Sequence, residues 1–413
     1  MLLHTPLATD EPIGWMDAYF ASTSAAMVTG LSSVDIETTF TPFGELVLMA
    51  LMQVGGLGLM TFALLTAALL GKRIGLRHRL ITGQSLNVAT IGGTRSLVRL
   101  ILLFALSMEA LGTLVLAIRF VPDLGLARGL WVSMFHAVSA FNNAGFSTFS
   151  TNLTGYVADP VVNIAITGLF IVGGIGFVVV ADLVRTRTFA RLSLHTKLML
   201  VGTLVMNVLA TLLVLTFEWG NAGTLGSLDL DGKLWAGWFQ AVSPRTAGFN
   251  TVDMAELTDP TLLLMMLLMF IGAGSASTAG GIKLSTFIVI LLFVLTFLRG
   301  RSEPSAFGRS VAYPTVVKAL AIAIIGCMVV FTMSLALVAI EPLPMQDLLF
   351  EAVSAFGTVG LSTGITADLS DRGKGILMFL MFMGRVGPLT LAYSLAAPRP
   401  VAIRYPTDDV LAG

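Results

Sequence analysis

The chain has 413 residues, of which 55% are hydrophobic and only 12% are charged, and its mean hydropathy is +0.88. A soluble domain carries about 25% charged residues, so this composition excludes an ordinary water-soluble protein and indicates a membrane protein. The formal net charge is zero, so the chain has no basic footprint for nucleic acid. Its single cysteine, Cys327, excludes an internal disulfide and a cysteine-based metal cluster.

Long apolar runs follow one another along the chain, and each can supply the roughly 20 residues that cross a bilayer. They lie near residues 43–71, 97–121, 160–184, 198–217, 261–298, 315–340 and 373–397. Basic residues crowd alternate connections, around 72–99, 185–197 and 299–318, whereas the other connections are acidic or neutral. By the positive-inside rule we expect the basic connections to be cytoplasmic.

A short, weakly apolar segment recurs four times in the outward connections, and every copy ends at a glycine. Around the glycines the sequence reads SAAMVTGLS at Gly30, SAFNNAGFS at Gly145, VSPRTAGFN at Gly248 and SAFGTVGLS at Gly360. The segments that lead up to these glycines begin near Trp15, Trp131, Trp235 and Met345. Because they are too short to span, we expect each to be a re-entrant pore helix that returns outward as an extended strand. Such irregular backbone survives at membrane depth only where it lines a wet cavity or is buried in protein.

The repeat predicts an all-α membrane protein in which four pseudo-symmetric units surround one pore. Each unit consists of an incoming helix, a re-entrant pore helix and an outgoing helix. The units are residues 1–95, 96–190, 191–310 and 311–397, and a cytoplasmic tail follows at 398–413. Residues 1–14 contain no spanning pattern, so we expect the first incoming helix to be truncated or to lie upstream of this numbering.

A four-part ring of exposed backbone can replace the water shell of a small cation. Glycine permits backbone angles that other residues adopt only at a cost, so we expect backbone oxygens before and at each glycine to bind the ion. The expected cation ligands are the carbonyls of Val28, Thr29, Gly30, Asn143, Ala144, Gly145, Thr246, Ala247, Gly248, Thr358, Val359 and Gly360. Each pore helix would add the partial negative charge of its C-terminal end, about half an elementary charge.

A gate is expected below this ring, because the third outgoing run is too long for one span and its middle reads GAGSASTAGG. We interpret that stretch as a loop inside the membrane; the alternative is a close-packed glycine face. Lys283 could anchor the loop. Arg385 lies in the middle of the last run, where an arginine is costly and usually functional; the alternative is snorkelling to the interface. The expected gate residues are Gly272, Ala273, Gly274, Ser275, Ala276, Ser277, Thr278, Ala279, Gly280, Gly281, Lys283 and Arg385.

Three further polar residues lie close to the glycine segments. Arg245 could be a gate or a repulsive charge on the pathway, or it could brace the third segment through backbone carbonyls or Glu351. His136 and Asn142 are better interpreted as hydrogen-bonding scaffold than as ion ligands, since the histidines show no metal-ligand spacing.

These strings resemble the Trk/Ktr/HKT superfamily of potassium transporters, and most closely its Ktr-type membrane subunits. The matching strings are MVTGLS at Met27, QVGGLGLMTF at Gln53, NNAGFS at Asn142, PRTAGFN at Pro244, GSASTAGGIK at Gly274, TVGLSTG at Thr358 and MGRVGP at Met383. They are spread in order over essentially the whole chain.

The resemblance implies potassium-selective uptake across the plasma (inner) membrane of a bacterial-type cell, through a filter gated by the intramembrane loop. Some HKT members that admit sodium carry serine in place of the first filter glycine, so Gly30 is consistent with potassium. The family implies a homodimer with one pore per subunit, regulated by a cytosolic RCK-type ring that carries the nucleotide; we expect this chain to hold no cofactor. No catalytic cluster is visible in the sequence, so we expect no enzyme. The alternative is a secondary carrier of another small cation or of a cation-coupled solute, since carriers also use broken helices.

Overall fold

The computed structural model describes residues 1–58, 94–275 and 277–387, and these residues are predominantly helical. The helices are α1 (Trp15–Met27), α2 (Ile36–Thr39), α3 (Pro42–Leu57), α4 (Thr94–Leu124), α5 (Leu126–Phe141), α6 (Pro160–Ile175), α7 (Phe177–Thr186), α8 (Leu194–Glu218), α9 (Leu230–Val242), α10 (Asp259–Phe270), α11 (Leu284–Leu298), α12 (Tyr313–Ile340), α13 (Met345–Gly357) and α14 (Asp371–Val386). A two-stranded antiparallel ribbon, β1 (Ser305–Ala306) and β2 (Arg309–Ser310), precedes α12. The predicted connection at 72–99 lies mostly, and the predicted tail at 398–413 wholly, outside the described residues.

Three of the described helices are long and apolar enough to cross a membrane unbroken: α4 from Arg99 onward, α8 and α12. Only 28%, 28% and 17% of their most apolar windows are buried inside the protein. Large apolar side chains such as Leu114, Leu204 and Phe331 are therefore exposed on them, as expected for helices that face lipid.

The four short helices α1, α5, α9 and α13 end at the four glycine segments. α1 and α13 begin at the predicted residues, but the predicted starts near Trp131 and Trp235 were too late. Gly125, with φ +80°, ends α4 and lets α5 begin at Leu126. The carboxylate of Asp229 accepts from Gly232 N at 2.9 Å and caps α9, which begins at Leu230.

Each short helix packs against the outgoing helix that follows it or against one that precedes it. α1 contacts α3 and α14, α5 contacts α6 and α3, α9 contacts α6, and α13 contacts α14 and α10. The contact of α1 with α14 joins the two ends of the described chain. The short helices therefore surround a common centre.

One outgoing segment is broken in addition to the one that the sequence led us to expect. Only the third was predicted to break, and it does, between α10 and α11. α3, α6 and α14 also end, at Gly58, Gly176 and Gly387, whose φ values are +82°, +108° and +86°. At Gly176 the chain turns by 90° between α6 and α7. The motifs GGLG, GGIG and GRVG mark these ends because only glycine adopts such φ values freely.

Candidate cation site and gate

The four glycine turns (residues 28–30, 143–145, 246–248 and 358–360) share one unusual backbone. In each turn the first residue and the glycine have positive φ: Val28 +58° and Gly30 +96°, Asn143 +58° and Gly145 +72°, Thr246 +72° and Gly248 +76°, Thr358 +48° and Gly360 +97°. Left-handed conformations are rare for β-branched residues such as valine and threonine. Strain of this kind, on the order of 1–3 kcal/mol per residue, concentrates at functional sites.

This alternation changes where the peptide groups point. Backbone that alternates left-handed with other conformations gathers successive N–H groups on one side. In the first turn those N–H groups donate back to the end of α1, Val28 N to Ala25 O and Thr29 N to Ser24 O. We therefore expect the carbonyl groups to project together on the other side, instead of alternating as they do along a strand. A short run of aligned carbonyl oxygens is the ligand set that a dehydrated cation needs.

A buried serine on each short helix holds the turn that follows. The carbonyl of Ser24 accepts from Thr29 N at 2.8 Å, and its hydroxyl accepts from Gly30 N at 3.1 Å. Ser354 makes the same two bonds, at 2.9 Å from Val359 N and 3.1 Å from Gly360 N. In the other two copies the hydroxyl is the donor instead, from Ser139 to Phe146 O at 2.8 Å and from Ser243 to Phe249 O.

The four turns meet in a closed ring. A β-carbon on Gly30 would lie 2.5 Å from Ala144 O, and one on Gly145 would lie 3.0 Å from Ala247 O. A β-carbon on Gly248 would strike Val359 O, and one on Gly360 would strike Thr29 O, which completes the circle. Each glycine thus faces the carbonyl that precedes the next glycine, and the backbones come too close for any side chain between them.

A second set of polar residues braces the chain as it leaves the ring. His136, Gln240 and Glu351 each lie three residues before the serine of their copy and are fully buried. His136 Nε2 lies 3.0 Å from Ser147 Oγ, and Gln240 Nε2 donates to Val252 O at 3.4 Å. Glu351 accepts from the hydroxyls of Ser362 and Thr366. The strings HAVS, QAVS and EAVS carry this repeat in the sequence, but only His136 was recognised there as scaffold.

Arg245 has a different partner from those considered. Its Nη1 donates to Asn207 Oδ1 on α8 at 2.7 Å, and the side chain is only 6% exposed. Neither of the bracing partners considered, a backbone carbonyl or Glu351, accepts from its side chain within the described residues. A lone asparagine in an apolar helix gave no sequence signal for this pairing.

Another buried polar group lies behind the second turn. Gln53 Nε2 donates to Glu109 Oε2 at 3.2 Å, and Asn142 Nδ2 donates to Glu109 Oε1 at 3.1 Å and to Gln53 Oε1 at 2.7 Å. Asn142 is thus scaffold, as its sequence position suggested. Glu109 was not recognised in the sequence. In the described part of the chain no three acidic, histidine or cysteine residues form a metal-binding group.

The third outgoing run leaves its helix at residues 271–283, here called the central loop. Gly274 N donates to Gly174 O on α6 at 2.7 Å, and Gly281 N donates to Gly384 O on α14 at 3.2 Å. A β-carbon on Gly280 would strike Thr358 Oγ1, so the loop lies directly against a glycine turn. Ala276, one of the predicted gate residues, lies outside the described residues.

Arg385 and Lys283 both donate to carbonyls of the central loop. Arg385 Nη1 donates to Thr278 O, while its Nη2 donates to Gly55 O and, at 3.3 Å, to Gly56 O on α3. Lys283 Nζ donates to Ala279 O and, at 3.3 Å, to Gly280 O. The guanidinium therefore ties the loop to α3 and does not snorkel to an interface.

Ring, loop and unbroken apolar helices together define a membrane transport protein of the cation-transport class. The chain belongs to the TrkH family, because a TrkH family model, described as a cation transport protein, matches residues 2–403. It is 51% identical over 413 residues to Ktr system potassium uptake protein B of Bacillus subtilis, a match that covers 100% of this chain and 93% of that protein.

Two further comparisons agree. The chain is 44% identical over 415 residues to the protein of the same description from Vibrio alginolyticus, covering 100% of this chain and 91% of the relative. The crystal structure of the potassium transporter TrkH from Vibrio parahaemolyticus superposes with a TM-score of 0.72, covering 93% of this chain and 79% of that one. At 20% sequence identity that likeness shows a shared fold. The resemblance stated from the sequence motifs is confirmed, as is the expectation of a transporter instead of an enzyme.

Proposed function

We propose that this chain carries potassium into the cell through the ring of glycine turns. Two relatives that match its whole length are described as potassium uptake proteins. The observation that carries the proposal is the closed circle in which each glycine faces the carbonyl before the next. In that circle, peptide oxygens replace the water that surrounds the ion in solution.

The proposed ligands are the carbonyls of the four turns, three per turn, as the sequence predicted. Four units of incoming helix, pore helix and outgoing helix supply them, and α4, α8 and α12 are the incoming helices of the last three units. The C-terminal ends of α1, α5, α9 and α13 face the site and contribute partial negative charge. The turns differ in sequence, so the site is only pseudo-symmetric.

The central loop is the proposed gate. It packs against the turn at Thr358, and the positive charges of Lys283 and Arg385 lie on it. Charges of that sign repel a permeating cation in a low-dielectric passage. Opening requires the loop to leave Arg385 and the glycine carbonyls of α6 and α14, Gly174 O and Gly384 O.

The proposed setting is the plasma membrane of a bacterial-type cell, with the basic connections and the C-terminus cytoplasmic. The proposed assembly is a homodimer with a cytosolic RCK-type nucleotide-binding ring, and it is supported by the resemblance alone. The RCK-type partner would bias the gate from the cytoplasmic side, where the basic connections lie.

The first test compares rubidium, potassium and sodium uptake in vesicles that contain the purified protein. We expect potassium and rubidium to enter in preference to sodium. Gly30→Ser places a side chain against Ala144 O and should reduce that preference about tenfold, the equivalent of one strong ligand contact. Gly125→Ser is the control. Gly125 also has positive φ, but a β-carbon added there would meet no atom within 4 Å, so the preference for potassium over sodium should not change.

If the correctly assembled protein takes up no potassium in the presence of its RCK-type partner, the proposed function is refuted. An unchanged potassium-to-sodium preference in Gly30→Ser would remove Gly30 from the filter. Uptake that needs a sodium or proton gradient would favour the alternative of a secondary carrier.

A further inference from the structure

The side chain of Asn143 joins two glycine turns to the central loop. Asn143 Nδ2 donates to Thr246 Oγ1 of the third turn at 3.2 Å. Asn143 Oδ1 accepts from Thr278 Oγ1 of the loop at 2.8 Å. All three residues are buried, with exposed fractions of 1%, 0% and 0% for Asn143, Thr246 and Thr278. The result is a chain of two hydrogen bonds that runs from the loop to the second and third turns.

The backbone at residue 143 does not by itself require asparagine. Asparagine tolerates the left-handed region better than most residues, but Val28, Thr246 and Thr358 hold the equivalent positions at similar φ. Valine at that position offers no polar group, and the hydroxyl of Thr358 is buried without a partner. The amide of Asn143 is therefore explained by what it contacts: it is the side chain at this position that reaches both a neighbouring turn and the loop.

The neighbouring outgoing helix leaves room for this amide. A β-carbon on Gly173 would strike Phe141 O and would also lie 3.0 Å from Asn143 Oδ1, and one on Gly174 would lie 3.4 Å from Asn143 Nδ2. Two adjacent glycines on α6 thus form the wall against which the amide lies. Larger residues there would displace it from Thr246 and Thr278.

Thr278 is held both through its side chain and through its backbone carbonyl. Its hydroxyl donates to Asn143 Oδ1 at 2.8 Å, with Phe141 O as a more distant acceptor at 3.4 Å, while its carbonyl accepts from Arg385 Nη1. Its position therefore depends on the arginine that ties the loop to α3. When the loop leaves Arg385, the hydroxyl of Thr278 must also leave Asn143, whose amide oxygen then loses its donor beside the ring.

We propose that Asn143 is a positioning residue through which the central loop sets the cation preference of the ring. With Thr278 in place, the amide holds the second and third turns in register. Without it, those turns relax and discriminate less between potassium and sodium. The inference rests on the proposed function and deepens it, since it makes the gate a determinant of selectivity as well as of flow.

The test uses Thr278→Val, which keeps the shape of the side chain and removes its donor. In vesicles, the ratio of rubidium to sodium uptake should fall about fivefold, as expected for one lost hydrogen bond. Thr278→Ser restores a hydroxyl and should restore the ratio. Thr211→Val is the matched control, because its hydroxyl donates to Asn207 O at 2.7 Å within α8, and the ratio should stay unchanged.

A double-mutant cycle then distinguishes coupling from general loosening. Asn143→Leu alone should lower the ratio, and adding Thr278→Val should lower it no further, because both changes remove the same bond. Additive effects would overturn the proposal, as would a Thr278→Val protein that carries more ions at an unchanged ratio. Wild-type vesicles that fail to prefer rubidium would instead refute the proposed function, so the two failures are distinguishable.

Discussion

The third outgoing segment differs from its three counterparts in what its glycines contact. β-carbons on Gly55, Gly173 and Gly384 would strike backbone carbonyls near the ends of the short helices, those of Ala26, Phe141 and Phe356. A β-carbon on Gly272, in the third segment, would strike Gly280 O of the central loop itself. The first, second and fourth segments thus pack closely against the helices that carry the turns. The third segment instead folds back on itself at Gly272.

The difference distinguishes the segments that support the turns from the segment that can move. Close backbone packing is rigid, because any displacement opens a gap or creates a clash. The central loop is held by backbone hydrogen bonds to Gly174 O and Gly384 O and, in addition, by side-chain hydrogen bonds. Arg385 and Lys283 donate to loop carbonyls, and Asn143 accepts from the hydroxyl of Thr278. Bonds of this kind can be exchanged for water or for other partners. The segment that departs from the repeat is therefore the one suited to open.

The largest effect on stability is expected where a side chain is placed in the close contact between Gly384 and Phe356 O. Gly384→Val would drive a branched side chain into Phe356 O and should destabilise the fold by about 3 kcal/mol or more. Thermal unfolding in detergent measures the loss. Gly375→Ala on the same helix is the control, since a β-carbon there would meet nothing within 4 Å. Equal stability of the two variants would show that the contact is not tight.

The next largest effect is expected at the bond between loop and helix. Arg385→Gln removes the charge that connects Thr278 O to Gly55 O. Hydrogen bonds to charged groups contribute about 1.5–3 kcal/mol, so potassium flux without activation should rise roughly tenfold or more.

The control for this change is Arg372→Gln, which removes an exposed arginine from the first turn of the same helix. Flux through that variant should equal the wild-type value. A loss of flux in Arg385→Gln, with folding intact, would indicate that the arginine supports an open pathway.

The smallest effect on ion preference is expected at Glu351, which braces the chain after the fourth turn. Glu351→Gln keeps an acceptor for Ser362 and Thr366, and Gln240 already occupies the equivalent position in the third copy. The rubidium-to-sodium ratio should change by less than about twofold, whereas Glu351→Leu, which removes the acceptor, should lower it about fivefold. A glutamine variant as impaired as the leucine variant would show that the carboxylate charge is needed.

The glycines of the turns were predictable because a repeated local string records a repeated local geometry. The break at 271–283 was predictable because its run is too long and too weakly helical. The break at Gly176 and the helix ends at Gly58 and Gly387 were missed, since glycines in an apolar run also pack helices closely. The starts of α5 and α9 were misplaced because Gly125 and Asp229 were not weighed as a helix end and a helix cap.

The partners of the buried polar side chains could not be read from the sequence. Asn207 for Arg245, and Thr278 for Asn143, lie far apart along the chain and show no shared pattern. Thr246 holds the position equivalent to Asn143 in the next copy, but the repeat does not show that the two side chains meet. Such pairings depend on how the four copies face one another in space. A repeat predicts the copies but not the exceptions by which one copy differs from the rest.

The most direct test is the anomalous scattering of rubidium in crystals of the protein grown with that ion in place of potassium. We expect a peak on the axis of the ring, enclosed by the carbonyls of all four glycine turns. Rubidium bound elsewhere in the membrane region, with the ring empty, would contradict a cation site built from these turns.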